Sequence, residues 1–306
     1  MLGYWRNTDR PAKSRLPANV LLDFPALICY LLRMIQRLLL TLFVCNLSLF
    51  AAEPTPPSSA WDIPDSSKKF HIFLLMGQSN MSGFGLLQPA DREPVLHVLN
   101  IPTNGPIAWH PAAHPLHNRN KSDRFGLGLP FAKVYLKANP GVTVGLISVA
   151  WGGVPIDKIN KGTPAYIDAM KKAEFAMTQG EIKGVLWHQG ESDTVNATKA
   201  NAYQAKLHQL IEDVRSDLDD KKLPFVVGNL AEFYGTGTNH RAPERVKHIK
   251  QVKATLRAIP ENLDYTAFVE STGCASPDRH MVHFDRASYI VLGNRYAEAY
   301  KQAQKR

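Results

Sequence analysis

Cysteine is scarce in this sequence: Cys29, Cys45 and Cys274 are the three in a chain of 306 residues. None belongs to a CxxC pair, which removes the usual cysteine-held zinc site. Two of the three lie in the first 45 residues. Without that leader Cys274 stands alone and no internal disulfide can form. It is read as a small apolar filler near the last strand, with use as a nucleophile the alternative. Runs of Lys and Arg are also missing, as are basic stretches interleaved with aromatics. Much of the formal charge of +9 belongs to the leader, where Arg6, Arg10, Lys13, Arg15, Arg33 and Arg37 face only Asp9 and Asp23. Beyond position 52, 30 basic and 25 acidic residues leave +5, the excess of a solvated surface, and nucleic-acid binding is not expected. The motif GxSxG, which marks a mid-chain nucleophile in α/β-hydrolase lipases and peptidases, does not occur, and that class is set aside. Internal repeats are absent, and EPTPPSS at 53–59 is the one low-complexity segment.

Nor is there a long apolar run. From Met34 the chain reads MIQRLLLTLFVCNLSLFAAEPTPPSS: one Arg, about a dozen mostly apolar residues, then small residues and a Pro/Ser-rich stretch. This is the layout of a secretory signal peptide, too short and too polar at Asn46 for a membrane span. The small-residue site at Ala51 and Ala52 is imperfect, because Phe50 or Leu49 stands three residues back. Residues 1–52 are therefore expected to be an N-terminal extension and signal peptide, with Met34 as a possible true start, and the protein to be secreted or periplasmic. An uncleaved membrane anchor is the alternative. Residues 53–69 are expected to be a linker and 70–306 the folded domain.

From residue 70 onward, apolar runs alternate with helical periodicity. FHIFLLM (70–76), VTVGLISVA (142–150), KGVLWH (183–188), PFVVGNLA (224–231) and YTAFVES (265–271) predict strands. Helices are predicted over 128–138, 165–180, 201–220, 243–259 and 288–304. Apolar strands without strict alternation, separated by helices, predict a parallel sheet covered on both faces. The expected fold is an α/β three-layer sandwich with a five-stranded sheet. The stretch 84–126 carries Pro89, Pro94, Pro102, Pro106, Pro111 and Pro115 and reads as an extended excursion over the surface.

In such a sheet, ligands bind beyond the carboxyl ends of the strands. There the chain places Gly77-Gln78-Ser79-Asn80-Met81, Trp151-Gly152-Gly153, His188-Gln189-Gly190-Glu191, Glu232-Phe233 and the loop from Asp278 to Asp285. Ser79, two residues past a strand, is either a helix cap or a nucleophile, and a nucleophilic hydroxyl needs a base. His283, just ahead of the last helix, is a candidate for that base. Gly152-Gly153 and Gln189, with the Ser79 N–H, are candidates for donors to an oxyanion, although tight turns and a buried amide explain the same residues. Trp151, Trp187, Phe233 and Tyr234 suit either sugar stacking or core packing.

GQSNM at 77–81, WGG at 151–153, HQGE at 188–191 and HFDRAS at 283–288 resemble the sialate O-acetylesterase-like, carbohydrate esterase family 6 branch of the SGNH hydrolases. The resemblance covers about residues 70–304. It implies a flavodoxin-like sandwich, no metal or other cofactor, and removal of O-acetyl groups from sugars such as acetylated xylan or sialic acid. It further implies Ser79 as nucleophile, His283 as base, and an oxyanion hole from the Ser79 N–H, the Gly153 N–H and the Gln189 amide. Gln78, Asn80 and Glu191 would support the turn. One position departs from the pattern: His280 stands where the family carries the Asp that orients the base. Asp278 is the first candidate to replace it, followed by Glu191 and Asp285. A non-catalytic carbohydrate-binding protein on the same fold is the alternative.

Overall fold

The computed structural model describes residues 28, 31–36, 58–117, 124–238 and 240–305. The chain divides into two units, Met1–Thr55 and Pro56–Arg306. In the first, residues 31–36 form a helical segment (α1) with exposed Leu31, Leu32, Met34 and Ile35. The expected cleavage region at Ala51 and Ala52, together with Cys29 and Cys45, lies outside the described residues. Among the described residues no helix is long and apolar enough to cross a membrane.

In the second unit all five expected strands form: β1 (Phe70–Gly77), β6 (Thr143–Ala150), β7 (Glu181–His188), β8 (Phe225–Gly228) and β9 (Thr266–Val269). They lie in the order β6-β1-β7-β8-β9, all parallel. In sequence rank this is 2-1-3-4-5, the flavodoxin-like order. The central strands read as unbroken apolar runs because both faces are covered: β6 is buried throughout and β1 at every position but His71.

The sheet has seven strands among the described residues, two more than expected. Both come from the Pro-rich stretch read as a surface excursion. Within it, β3 (Val98–Ile101) pairs parallel with β6, and β4 (His110–Pro111) pairs antiparallel with β3 at the sheet edge. All of VLNI is buried. The flanking prolines hid a four-residue strand, while Pro111 occupies the edge position that a strand proline tolerates. The start and end of the same stretch meet as a two-stranded ribbon, β2 (Gly85–Leu86) against β5 (Arg124–Phe125). The expected linker also differs from expectation over residues 58–69. Ala60 is buried and its carbonyl accepts from His97 N, while Trp61 Nε1 donates to Val95 O.

The short helix α2 (Ser79–Ser82) follows β1, and five longer helices cover the sheet: α3 (Gly128–Ala138), α4 (Pro164–Met177), α5 (Ala197–Asp217), α6 (Pro243–Asn262) and α7 (Arg286–Ala303). Their starts carry local signals. Thr163, Asn196 and Asp285 accept hydrogen bonds from backbone N–H groups three residues on, and Pro opens α4 and α6. On one face, α3 and α7 pack together over Phe73, whose ring meets Phe131, Tyr135 and Tyr300 edge-on at 4.8, 4.8 and 5.2 Å. Each such pair contributes roughly 0.5–1.5 kcal/mol beyond area burial. Cys274 is partly buried, and burial pushes its thiol up, which suits the filler reading rather than a nucleophile.

The strand order reverses at β1, and there β1 and β7 end side by side. Gly77 has φ of +140° and an added Cβ would lie 2.2 Å from the His188 carbonyl oxygen. The approach is held on both sides: Gln78 N donates to His188 O at 3.0 Å and Trp151 N to Gly77 O at 2.9 Å. Gly77→Ala is expected to cost roughly 2–3 kcal/mol through backbone strain and overpacking, read as the shift in a urea-unfolding midpoint. A variant as stable as the parent would show that the close approach is not required.

Candidate active site

The sharp exit from β1 determines what Ser79 can do. Gln78 is the capping residue of α2 and Ser79 its first helical residue, so the Ser79 hydroxyl does not cap the helix. It faces His283 instead, with Oγ 3.1 Å from Nε2. When Nδ1 carries the imidazole proton, the hydroxyl donates to Nε2 across this distance. The two residues stand 204 positions apart, and β1 and the loop before α7 bring them to the carboxyl edge of the sheet. They line a cleft of about 460 Å³ together with Gln78, Phe84, Gly152 and Gly153.

Asn80 shows why the motif requires more than a serine. It is fully buried, and its side-chain amide donates to Glu191 Oε1 at 2.5 Å and to Val282 O at 3.0 Å. Its carbonyl oxygen accepts from Tyr289 Oη at 2.9 Å. One side chain thereby joins the turn after β1, the turn after β7, the residue before His283 and the last helix. Glu191 is buried, and that burial lifts its carboxyl to about 7.

Gly153 lies at the exposed edge of the cleft with φ of +69°. The Ser79 N–H, first in its helix, has no intrahelical acceptor, and Ser79 and Gly153 both line the cleft. Gln189 is placed differently from the sequence expectation. It is fully buried, and its amide nitrogen donates to Asp193 Oδ2 at 2.6 Å, Val154 O at 3.2 Å and Gln78 Oε1 at 3.3 Å. With those three acceptors around it, Gln189 braces the floor behind Gln78 rather than facing the cleft. Asp193, which the sequence did not single out, anchors that floor by also accepting from Ile156 N at 3.0 Å.

The expected replacement acid is not at the imidazole. Asp278 is exposed, and its Oδ1 accepts from His280 N at 2.8 Å. Asp285 accepts from Ser288 N at 2.8 Å and so caps α7. Glu191 is held by Asn80. Among the described residues no carboxylate hydrogen-bonds His283. Burial first, and then the positive charge of Arg124, lower the imidazole to about 4, against a smaller upward pull from Asp278. The imidazole is thus neutral, and able to accept a proton, well into the acid range.

Of the other lining residues, Phe84 and Arg245 carried no sequence signal, and Tyr234 was open between sugar stacking and core packing. Phe84 stacks on His283; Tyr234 Oη donates to Glu191 O at 3.1 Å; Arg245 donates to Tyr234 Oη at 2.9 Å. Trp187 and Phe233 belong to packing: Trp187 is fully buried, and Phe233 meets Phe284 at 5.6 Å. His188 of HQGE is structural as well, buried with Nδ1 3.0 Å from Tyr296 Oη and held neutral by desolvation. Among the described residues no group of three or more His, Cys, Asp or Glu side chains is disposed to hold a metal ion.

Residues 69–302 match the profile of one family, described as "SASA: Carbohydrate esterase, sialic acid-specific acetylesterase". The chain belongs to the SASA carbohydrate esterases. Over 193 residues, 56% of this esterase and 73% of the relative, it is 31% identical to a "probable carbohydrate esterase" of Arabidopsis thaliana. The crystal structure of that plant protein superposes with a TM-score of 0.65 at 27% identity, covering 76% of this esterase and 98% of the plant chain. NanS superposes at 0.61 with 16% identity, covering 78% and 98% of the two chains. A carbohydrate acetylesterase from Xanthomonas citri does so at 0.54 with 22% identity, covering 76% and 56%. These last two likenesses are of fold.

The buried carboxyl of Glu191 makes the esterase's stability depend on pH. Its ordinary value of 4.5 is raised to about 7 in the folded state, so between these values the folded protein holds a proton that the unfolded chain has lost. This contribution is fullest below about 4.5 and falls as pH rises through about 7. Glu191→Gln keeps an acceptor for Asn80 but does not titrate. The melting temperature of the variant relative to the parent is expected to climb between pH 5 and pH 8; an offset that stays constant would contradict the assignment.

Proposed function

We propose that this esterase removes O-acetyl groups from carbohydrate through an acetyl-enzyme on Ser79. The observation that carries the reading is the 3.1 Å approach of Ser79 Oγ to His283 Nε2 in a cleft that Gly152 and Gly153 also line. Ser79 Oγ attacks the acetyl carbonyl carbon as its proton passes to His283 Nε2. The tetrahedral oxyanion is met by the Ser79 and Gly153 N–H groups. Collapse breaks the bond to the sugar oxygen, which leaves with the proton from His283. Water then attacks the acetyl group, giving its proton to the same nitrogen, and release of acetate restores the serine. Acetylated xylan and O-acetylated sialic acid are the substrate classes to which the motifs point. The apolar leader from Met34 supports export to a compartment where such glycans occur.

Ser79→Ala is expected to lower acetate release from an acetylated glycan or an aryl acetate by about a thousandfold or more. Activity that survives the substitution would reject Ser79 as nucleophile. No release from any such ester by the parent protein would favour a carbohydrate-binding role. For the parent, kcat/KM should fall on acidification with a midpoint near the imidazole value of about 4 rather than the ordinary 6.5. A midpoint at 6.5 or above would show that burial and Arg124 do not act on the base as described.

A further inference from the structure

The loop that carries His283 lacks the family's Asp, and each carboxylate near it has another partner. What does touch the imidazole is an aromatic face. The rings of Phe84 and His283 are stacked with centroids 3.5 Å apart and planes within 9°. The Arg124 guanidinium carbon lies 3.5 Å from the centroid of Phe84. We propose that Phe84, backed by Arg124, is the positioning residue for His283, holding the imidazole in the plane from which it takes the Ser79 proton. The proposal rests on the reading of Ser79 and His283 as nucleophile and base.

Backbone geometry fixes Phe84 independently of the stack. It precedes β2, whose Gly85 and Leu86 pair with Phe125 and Arg124 of β5, so one small ribbon presents both members. That ribbon is pressed against the start of α7: an added Cβ at Gly85 would lie 2.8 Å from the Arg286 Cα. Arg286 in turn grips Asp91 with two hydrogen bonds, of 2.8 and 2.7 Å. On the other side, Asn80 holds the Val282 carbonyl. The backbone on both sides of His283 is therefore anchored, and Phe84 covers a face of its ring.

A triad carboxylate would set the ring's orientation and stabilise the imidazolium that forms during attack. A stacked phenyl ring supplies the first by contact and part of the second through its negative face. Arg124 draws on the same π system and disfavours the cation at rest, so the base stays neutral until substrate chemistry drives the transfer. The other charged or titratable groups that face the base are His240, Asp278 and His280, with Glu191 and Arg245 across the cleft. Of these, Asp278 favours the imidazolium, whereas His240 and His280 oppose it.

The test uses the full chain with Phe84→Leu, Phe84→Tyr, Arg124→Gln, Asp278→Asn and Ser79→Ala, measuring kcat, KM and pH profiles on an aryl acetate. Leu fills volume but cannot stack. Phe84→Leu should lower kcat about a hundredfold with KM changed less than about twofold, and Phe84→Tyr should restore most of the rate. Arg124→Gln should move the acid limb of kcat/KM to higher pH, a displacement that a merely structural role would not produce. Asp278→Asn should keep kcat within about threefold of the parent. If Phe84→Leu fails to fold, the Phe84→Tyr rate and the Arg124→Gln limb decide the question by the same criteria. The proposal is overturned if Phe84→Leu turns over like the parent, if the limb stays fixed, or if Asp278→Asn is as damaging as loss of the imidazole. In those cases an inactive Ser79→Ala leaves the nucleophile assignment standing, whereas an active one removes the assignment on which the proposal rests.

Discussion

Asn80 is fully buried, and its three hydrogen bonds end on three separated parts of the chain. A typical intramolecular hydrogen bond contributes roughly 0.5–1.5 kcal/mol net, and leaving a buried polar group unmatched costs about 1–3 kcal/mol. The amide therefore has little freedom to sit elsewhere, and neither do the segments it joins. Through it the turn after β1, the turn after β7 and the loop before α7 become one unit. The meeting of Ser79 and His283 follows from that unit. Asn80 is one of the contacts that fix Ser79 relative to an imidazole 204 positions away.

Around this unit the electrostatics favour an uncharged His283 imidazole. Burial strips water from His283, Arg124 repels a second positive charge, and no carboxylate bonds the ring to offset them. The burial of Glu191 lifts its carboxyl to about 7, so below neutrality it holds its proton and adds little negative charge near Ser79. In the proposed reaction the Ser79 and Gly153 N–H groups would meet the charge that develops on the substrate, and their dipoles, fixed by the fold, would need no reorganisation.

How legible was this in the sequence? The five parallel strands from β1 and β6 to β9 were, because strands covered on both faces spell continuous apolar runs. The helices were readable from their periodicity, but the capping residues Thr163, Asn196 and Asp285, which set their actual starts, were not singled out as caps. The turn at Gly77-Gln78-Ser79-Asn80 and the base at His283 could be singled out because short polar motifs sat at predicted strand ends. The rest depended on tertiary placement. The strand at Val98–Ile101 is four residues long and hemmed by prolines, which erases periodicity. Gln189 reads the same whether it faces a cleft or a floor, and only Asp193 and Val154 show that it faces the floor. Asp278 looked available because a sequence does not show that its carboxylate turns back to His280 N. Phe84 and Arg124 are 40 positions apart, and nothing local connects them.

The β2–β5 ribbon has a consequence for how this molecule can change. It closes the ends of the Pro-rich segment against each other, and both residues that form the wall beside His283 sit at that closure. Material between the two short strands can therefore lengthen without displacing the wall. Doubling a flexible loop adds only about 0.6 kcal/mol of closure entropy. The edge strand and its connections are thus a natural place for new glycan-contacting surface or an appended module to arise, with the reaction centre unaltered.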